Sequence, residues 1–203
     1  MIPTEFPVAP QARALVAASL LIVPVVGAQQ TPHPVTATQK IANAMSAAPA
    51  ALAAKATIMD WPANDSTPPP VLRQGTNGWV CYPDLPASEG NDPMCLDKSW
   101  QAWAEAYFTH KPPQLSSIGV SYMIAPGGGT GSNTDPYATA GTADNQWGHD
   151  APHLMIVVPD LAALQGLPTS RQDGAPFVMW AGTPYAHIMV PLVANTPTMP
   201  ARH

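Results

Sequence analysis

Charged residues are scarce in this sequence. Lys, Arg, Asp and Glu together make up 10% of the 203 residues, against about 25% in an average soluble protein. The eight Lys and Arg residues are scattered along the chain, and the formal net charge is -5. Binding to the phosphates of nucleic acids needs a concentrated basic surface, so this composition argues against a nucleic-acid partner. The polar surface must be built mainly from Thr, Ser, Asn, Gln and backbone groups.

No apolar run has the length of a typical membrane-spanning helix. The longest, residues 14–26, contains Pro24 and falls short of the roughly 20 residues that a bilayer span needs. Arg13 precedes it, and residues 26–28 (Val-Gly-Ala) close it, as in a secretory signal peptide with its cleavage site. We expect residues 1–28 to be removed on export to the periplasm or extracellular space, leaving no stable membrane span. An uncleaved membrane anchor is the alternative interpretation.

Cysteine is nearly absent. The sequence contains two cysteines, Cys81 and Cys95, so only one intramolecular pairing exists, and their spacing excludes a CxxC redox pair. In an oxidising compartment we expect them to form a disulfide. A bridge closing so short a loop stabilises a fold by about 3 kcal/mol in the chain-entropy model. Two separately buried thiols are the alternative.

The predicted mature chain divides into a short tether, residues 29–35, and one globular domain, residues 36–203. Thr36 and Gln39 have the spacing of a capping box, which predicts a helix through the alanine-rich segment that follows. A second helix is predicted to begin at residues 92–93 (Asp-Pro) and to run to about His110. Its large apolar residues recur at helical spacing and are expected to pack in the core: Leu96, Trp100, Trp103 and Tyr107.

Short β-branched and apolar segments between turn signals predict strands. They lie at residues 56–62, 79–82, 118–125, 153–158, 176–180 and 185–192. The last two flank a turn and are expected to form a hairpin, and a short helix capped by Asp160 is expected before them. The predicted fold is α+β, with a mainly antiparallel sheet of five to six strands, helices packed on one face and one disulfide.

Residues 126–152 form a long segment rich in Gly, Asn, Asp and Thr. A loop of this length in a compact domain is usually functional or mobile. It leads to three histidines that could converge on a divalent metal, His149, His153 and His187, with Asp135, Asp144 or Asp150 completing the shell. The alternative is that each histidine hydrogen-bonds to a neighbouring aspartate and holds a loop. No pair of aspartates stands out as a glycosidase-like pair.

Trp147 is the tryptophan best placed for ligand binding, because Asn145, Gln146 and His149 lie beside it. An indole ring can stack on a sugar face or a small aromatic molecule and can donate its N–H; it can equally close the end of a core. The candidate ligand-binding set comprises Asp135, Asn145, Trp147, His149, His153 and His187.

These features predict an exported protein that binds a small molecule or glycan at a site lined by His, Asp and Trp, with a divalent metal as one option for a cofactor. A secreted hydrolase that uses His and Asp, or a bound metal, is the first alternative. A structural, envelope-associated interaction protein is the second, because low charge and 26 prolines are compatible with that role.

Overall fold

The computed structural model describes residues 33–64, 67–172 and 174–193. The predicted signal peptide, residues 1–28, lies outside this part of the chain, as do residues 29–32 of the predicted tether. Residues 33–35 precede the first helix without regular structure. Nδ1 of His33 lies 2.5 Å from Oδ2 of Asp84, so this short segment contacts the domain. Across the described ranges, no helix has both the length and the apolar character needed to cross a membrane.

The N-terminal helices begin where local signals place them. Helix α1 (Ala37–Ser46) starts at a complete capping box, in which the backbone N–H of Gln39 donates to Oγ1 of Thr36 at 3.2 Å. Helix α2 (Ala50–Ala53) follows directly after Pro49. The predicted capping box is therefore confirmed, and it satisfies backbone groups that the first helical turn would leave without partners.

The strands form two sheets. They are β1 (Thr57–Met59), β2 (Val71–Arg73), β3 (Val80–Tyr82), β4 (Gly90–Asn91), β5 (Met94–Leu96), β6 (Gly119–Met123), β7 (Gly128–Gly131), β8 (Gly148–Asp150), β9 (His153–Val157), β10 (Phe177–Met179) and β11 (His187–Pro191). The large sheet has eight strands in the order β10-β11-β9-β6-β5-β3-β1-β2, and the small sheet has three in the order β4-β7-β8. Only the β1–β3 pairing is parallel among these described strands.

The expected sheet of five to six strands was therefore too small. Strands of two or three residues, such as β2 and β4, are too short to show a period of two in the sequence. The segment 126–152, expected to be a loop, contains β7 and β8. Strand β7 has the sequence Gly-Gly-Thr-Gly, and glycine has low strand propensity, so its pairing is decided by neighbouring strands rather than by its own composition.

The predicted helix from residue 92 begins later. Residues 94–96 form β5, and helix α3 (Lys98–Phe108) starts after Asp97, whose Oδ1 accepts a hydrogen bond from the N–H of Trp100 at 2.8 Å. The other oxygen of Asp97 accepts from the N–H of Val120 at 2.7 Å. Asp97, and not Asp92, therefore caps α3, and the same side chain also binds the backbone of β6.

The disulfide prediction is confirmed. Cys81 and Cys95 are bonded to each other and occupy directly opposite positions on the antiparallel strands β3 and β5. Residues 94–96 were predicted to be helical but form β5. The pairing of β5 with β3 therefore also brings the two sulfur atoms together.

Helices cover both faces of the large sheet, whereas we expected them on one. Cys95 packs in a cluster with Ala44 and other alanines of α1 and α2. Its neighbour Leu96 packs in a second cluster with Trp100 and Trp103 of α3. Successive side chains of a strand point to opposite faces, so α1 and α2 lie on one side and α3 on the other. The prediction failed because both faces of the central strands carry apolar residues.

The C-terminal half follows the predicted pattern closely. Strands β6, β9, β10 and β11 fall within the four predicted segments, and β10 and β11 form the expected antiparallel hairpin. The short helix is a 3₁₀ turn (Leu161–Leu164), in which Oδ1 of Asp160 accepts a hydrogen bond from the N–H of Ala162 at 2.9 Å. These strands form the floor of the site described next.

Candidate functional site

A cavity of about 390 Å³ lies on the α3 side of the large sheet. It is bounded by α3, by the central strands of the sheet, by residues of β7 and by the segment around Asp92. Cavities that hold small molecules in proteins have volumes of about 300–1,000 Å³ and mainly apolar walls with a few polar groups. Size and position therefore make this cavity the candidate site.

The floor of the cavity is rich in methionine. Of the seven methionines in the described residues, five line the cavity: Met94, Met123, Met155, Met179 and Met189. Met155 of β9 lies directly opposite Met189 of β11. Methionine is unbranched and polarisable, so it adapts its shape to a bound molecule better than branched side chains do.

One wall consists of aromatic rings. Trp103 and Tyr107 of α3 are stacked at a centroid distance of 5.5 Å, and Trp180 is parallel to both, at 5.9 and 5.6 Å. Trp100 crosses the same region and donates its Nε1–H to the carbonyl of Met155 at 3.1 Å. The predicted aromatic residues of α3, Trp100, Trp103 and Tyr107, thus pack in the core and also line the cavity.

Trp180 is held in an unusual backbone conformation. Its φ angle is 56°, in the left-handed region that bulky residues rarely occupy. Its Nε1–H donates to the carbonyl of Ser132 at 2.8 Å, and its backbone N–H donates to the carbonyl of Asn133 at 2.8 Å. A strained backbone conformation persists only where many surrounding contacts hold the residue in place. Such residues are common at binding sites. Here this conformation places an indole ring in the cavity wall.

Two buried histidines line the cavity. His187 is 1% exposed and His153 is 3% exposed. Burial lowers the pKa of His187 to about 4, although its hydrogen bond to the carbonyl of Tyr185 acts in the opposite direction. Burial likewise lowers the pKa of His153, against opposing contributions from the Ala151 carbonyl and the Asp150 charge. Both imidazoles are therefore neutral near pH 7.

A carboxyl pair, Asp84 and Asp92, lies at the edge of the cavity, with Asp92 in its lining. Burial, followed by a side-chain hydrogen bond with Asp84, raises the pKa of Asp92 to about 7, and hydrogen bonds from Ser88 and Leu85 oppose the rise. Neither residue was among the predicted site residues. The two residues lie in a segment whose Pro, Ser and Gly residues predict a loop, so no helix or strand pattern placed their side chains together.

The cavity has to be interpreted from its own chemistry. No protein-family model, curated protein or solved structure matches this chain. The lining is a methionine- and aromatic-rich wall with isolated polar groups, among them Asp92, His153 and His187.

Four of the six predicted ligand-binding residues line this cavity: Asp135, Trp147, His153 and His187. Asp135 is exposed, and its Oδ1 accepts a hydrogen bond from the N–H of Tyr137 at 2.9 Å. Trp147 is partly buried and its ring packs against Gly141, where an added Cβ would lie 3.0 Å from the indole. The structure thus collects residues from the long segment and from the final hairpin at one site.

The other two predicted residues lie elsewhere. Asn145 holds a turn, because its Nδ2 donates to the carbonyl of Ala140 at 2.8 Å and its Oδ1 accepts from the N–H of Thr142 at 3.0 Å. His149 is partly exposed on β8 and is not part of the cavity lining. Alternation along β8 directs its side chain to the face opposite that of Asp150.

Asp150 is engaged by an arginine. Nε and Nη2 of Arg171 donate to its two carboxylate oxygens at 2.8 and 2.7 Å, and Nη1 donates to the carbonyl of Gln146 at 2.7 Å. This two-point contact satisfies the carboxylate, which we had considered as a metal ligand. Arg171 is the only Lys or Arg between Lys111 and Arg202, and that isolation is the signal that could have identified it.

The predicted three-histidine metal set does not assemble as a group of three. In the ranges that the structure describes, no cluster of three or more His, Cys, Asp or Glu side chains is arranged to hold a metal ion. His153 and His187 both line the cavity. They are not opposite each other, because the register of β9 and β11 pairs His153 with Pro191, which is four residues beyond His187. At about 3.3 Å per residue, this offset separates the two histidine backbones by about 13 Å along the strands.

Proposed function

We propose that this protein is an exported binding protein for a compact, mainly apolar small molecule. The supporting observation is the cavity of about 390 Å³ whose floor is methionine and whose wall is a set of stacked indole and phenol rings. Export is argued from residues 1–28 of the sequence. The binding function is argued from the cavity.

The polar groups at the cavity favour an apolar ligand over a glycan. Asp150 is already paired with Arg171, and His153 and His187 are neutral and buried. A sugar would bring many hydroxyl groups into a wall with few free partners, and each unmatched polar group costs about 1–3 kcal/mol. An apolar molecule instead gains about 25 cal/mol for each Å² of apolar surface that it buries.

The entrance also offers apolar contacts. Phe108 is 63% exposed although it is large and apolar, and it lies edge-on to Trp61 at a centroid distance of 6.4 Å. Trp61 in turn stacks on Tyr82 at 4.8 Å. Both Trp61 and Phe108 line the cavity. Exposed aromatic side chains at the edge of a cavity provide a first contact surface for an apolar ligand.

The test uses two alanines on the same helix. Ala104 of α3 lines the cavity, whereas Ala102 faces solvent. The neutral fluorophore N-phenyl-1-naphthylamine serves as the apolar probe, and a linear glucose tetrasaccharide serves as the glycan probe. We expect wild type and Ala102→Phe to bind the fluorophore with equal affinity, and Ala104→Phe to bind it at least tenfold more weakly because the ring occupies the cavity.

Two outcomes would reject the proposal. One is the absence of saturable fluorophore binding by the folded wild-type protein. The other is equal binding by the Ala102→Phe and Ala104→Phe variants, which would place the fluorophore outside the cavity. Saturable binding of the tetrasaccharide that Ala104→Phe weakens, without fluorophore binding, would replace the apolar ligand with a glycan.

A further inference from the structure

The sequence contains one short pattern twice within the cavity floor. His153-Leu154-Met155 lies on β9 and His187-Ile188-Met189 lies on β11. The two strands are antiparallel, with Met155 directly opposite Met189. The two His-x-Met units are therefore related by an approximate twofold axis through the methionine pair. Because side chains alternate along a strand, all four His and Met side chains point to the cavity face.

Both histidines are oriented by the same contact. Nδ1 of His153 lies 2.6 Å from the carbonyl oxygen of Ala151, and Nδ1 of His187 lies 3.0 Å from that of Tyr185. A carbonyl oxygen can only accept, so the proton of each neutral ring is on Nδ1 and the lone pair is on Nε2. Metal-binding histidines are commonly oriented by such a contact through their other nitrogen.

Among the residues that the structure describes, Nε2 of His187 has no hydrogen-bond partner although it is buried. A buried polar atom without a partner is uncommon in folded proteins and calls for an explanation. Directly opposite His187 on β10 stands Met179, and two residues along β11 stands Met189. His187 thus shares one patch of the cavity floor with Met155, Met179 and Met189.

We infer that His187, Met189 and Met155 form a binding site for a soft monovalent metal ion, Cu(I). Thioether sulfur and neutral imidazole are donors that suit Cu(I), whereas hard divalent ions prefer carboxylate and carbonyl oxygen. The nearby Asp150 carboxylate is occupied by Arg171, so the patch is dominated by soft donors. Directly opposite side chains in a sheet have Cβ atoms about 4.5–5.5 Å apart, a separation that two thioethers can bridge through one ion.

The surroundings of His187 would protect such an ion. The rings of Trp100, Trp103 and Trp180 lie 5.3, 5.5 and 5.0 Å from the imidazole, each nearly perpendicular to it. They exclude water, and aromatic faces attract cations within about 6 Å. This inference is independent of the proposed apolar ligand, because it concerns the floor of the cavity and not its volume.

The test uses Ag(I), a redox-inert ion with similar ligand preferences, and Cu(I) supplied as its acetonitrile complex without oxygen. The protein is labelled with ¹³C at the methionine methyl groups. We expect one ion to bind per chain and to shift the methyl signals of Met155 and Met189. The double variant M155L/M189L, which keeps side-chain volume nearly constant, should bind Ag(I) at least tenfold more weakly. The control M59L, on β1 and outside the cavity lining, should bind as wild type does.

The proposal is overturned if wild type binds neither ion stoichiometrically at micromolar concentration. It is also overturned if the double variant binds as tightly as wild type, or if the shifted signals belong to other methionines. Thermal unfolding of each variant without metal verifies that it is folded; if the double variant is not, the single variants M155L and M189L take its place. Because the fluorophore test uses no metal, its result and this one are separable.

Discussion

Asp84 and Asp92 form a carboxyl pair in which the backbone N–H of Asp92 also donates to Oδ1 of Asp84 at 2.9 Å. Two carboxyl groups this close favour a state in which one of them carries a proton. Oδ1 of Asp92 additionally accepts from the hydroxyl of Ser88 at 2.9 Å. The pair therefore makes the edge of the cavity sensitive to pH in the neutral range.

The free energy of unfolding should carry a contribution from Asp92 that decreases as pH rises. The folded pKa of about 7 lies above the ordinary value of 3.8 for an aspartate, so this contribution is fully present below pH 4 and is lost as pH rises through 7. We expect the Asp92→Asn variant to lack it, with a difference of a few kcal/mol between the two ends of the range. Urea unfolding of both proteins at several pH values measures this, and parallel curves would contradict it.

The buried histidines should act in the opposite direction over an overlapping range. The pKa of His187 is lowered from 6.5 to about 4, so its contribution to stability is present above pH 6.5 and is lost as pH falls towards 4. In wild type this loss is partly offset by Asp92. In the Asp92→Asn variant the offset is gone, and we expect the free energy of unfolding to fall steadily between pH 6.5 and 4. A flat profile in that variant would show that the histidines are not buried in their neutral form.

Gly119 should be intolerant of a side chain. A Cβ at this position would lie 2.6 Å from Cβ of Ser99 and 2.8 Å from Cγ2 of Val157, because the start of α3 crosses β6 there. We expect Gly119→Ala to lower the free energy of unfolding by about 1–3 kcal/mol. Gly131→Ala is the matched control, since no atom of the described residues lies within 4 Å of its added Cβ. Equal stability of the two variants would refute this packing argument.

We expect the contacts of Arg171 with the small sheet to contribute to the free energy of unfolding. Besides Asp150, it donates to the carbonyls of Gly131 and Gln146 at 3.1 and 2.7 Å. Arg171→Met leaves the buried Asp150 carboxylate without its cation, and we expect a loss of about 3 kcal/mol. Adding Asp150→Asn in the same chain should recover part of that loss, because the remaining group is neutral. If the second substitution adds a further loss instead, the ion pair is not the source of the stability. Chemical denaturation of all three proteins decides between these outcomes.

Local signals were reliable where one short segment contains all the relevant groups. Thr36 and Gln39 predicted the capping box correctly, because the two hydrogen bonds of the box connect residues three positions apart. Asp92 resembled a helix cap by the same local rule, yet Asp97 caps α3. Both aspartates fit the local pattern of a helix cap. Asp97 is the cap because residues 94–96 pair as β5 and because Asp97 also hydrogen-bonds to Val120. These contacts involve residues that are distant in sequence.

The candidate site was only partly predictable for the same reason. His153 and His187 were singled out as rare titratable residues on predicted strands, and both line the cavity. Asn145 was included because it neighbours Trp147 in sequence, and His149 because it belongs to the predicted histidine trio and also lies beside Trp147. Adjacent residues in a strand point to opposite faces, so His149 points away from the cavity that its neighbour Asp150 lines.

By itself the sequence determined the α+β class, the one possible disulfide and most of the C-terminal strands, because composition, cysteine number and periodicity act locally. The tertiary structure alone decided that Met155 faces Met189, that Arg171 satisfies Asp150 and that Asp84 pairs with Asp92. These contacts join residues far apart in sequence or in irregular segments. Their formation depends on the register and burial that the whole sheet reaches together, and no local pattern encodes that outcome.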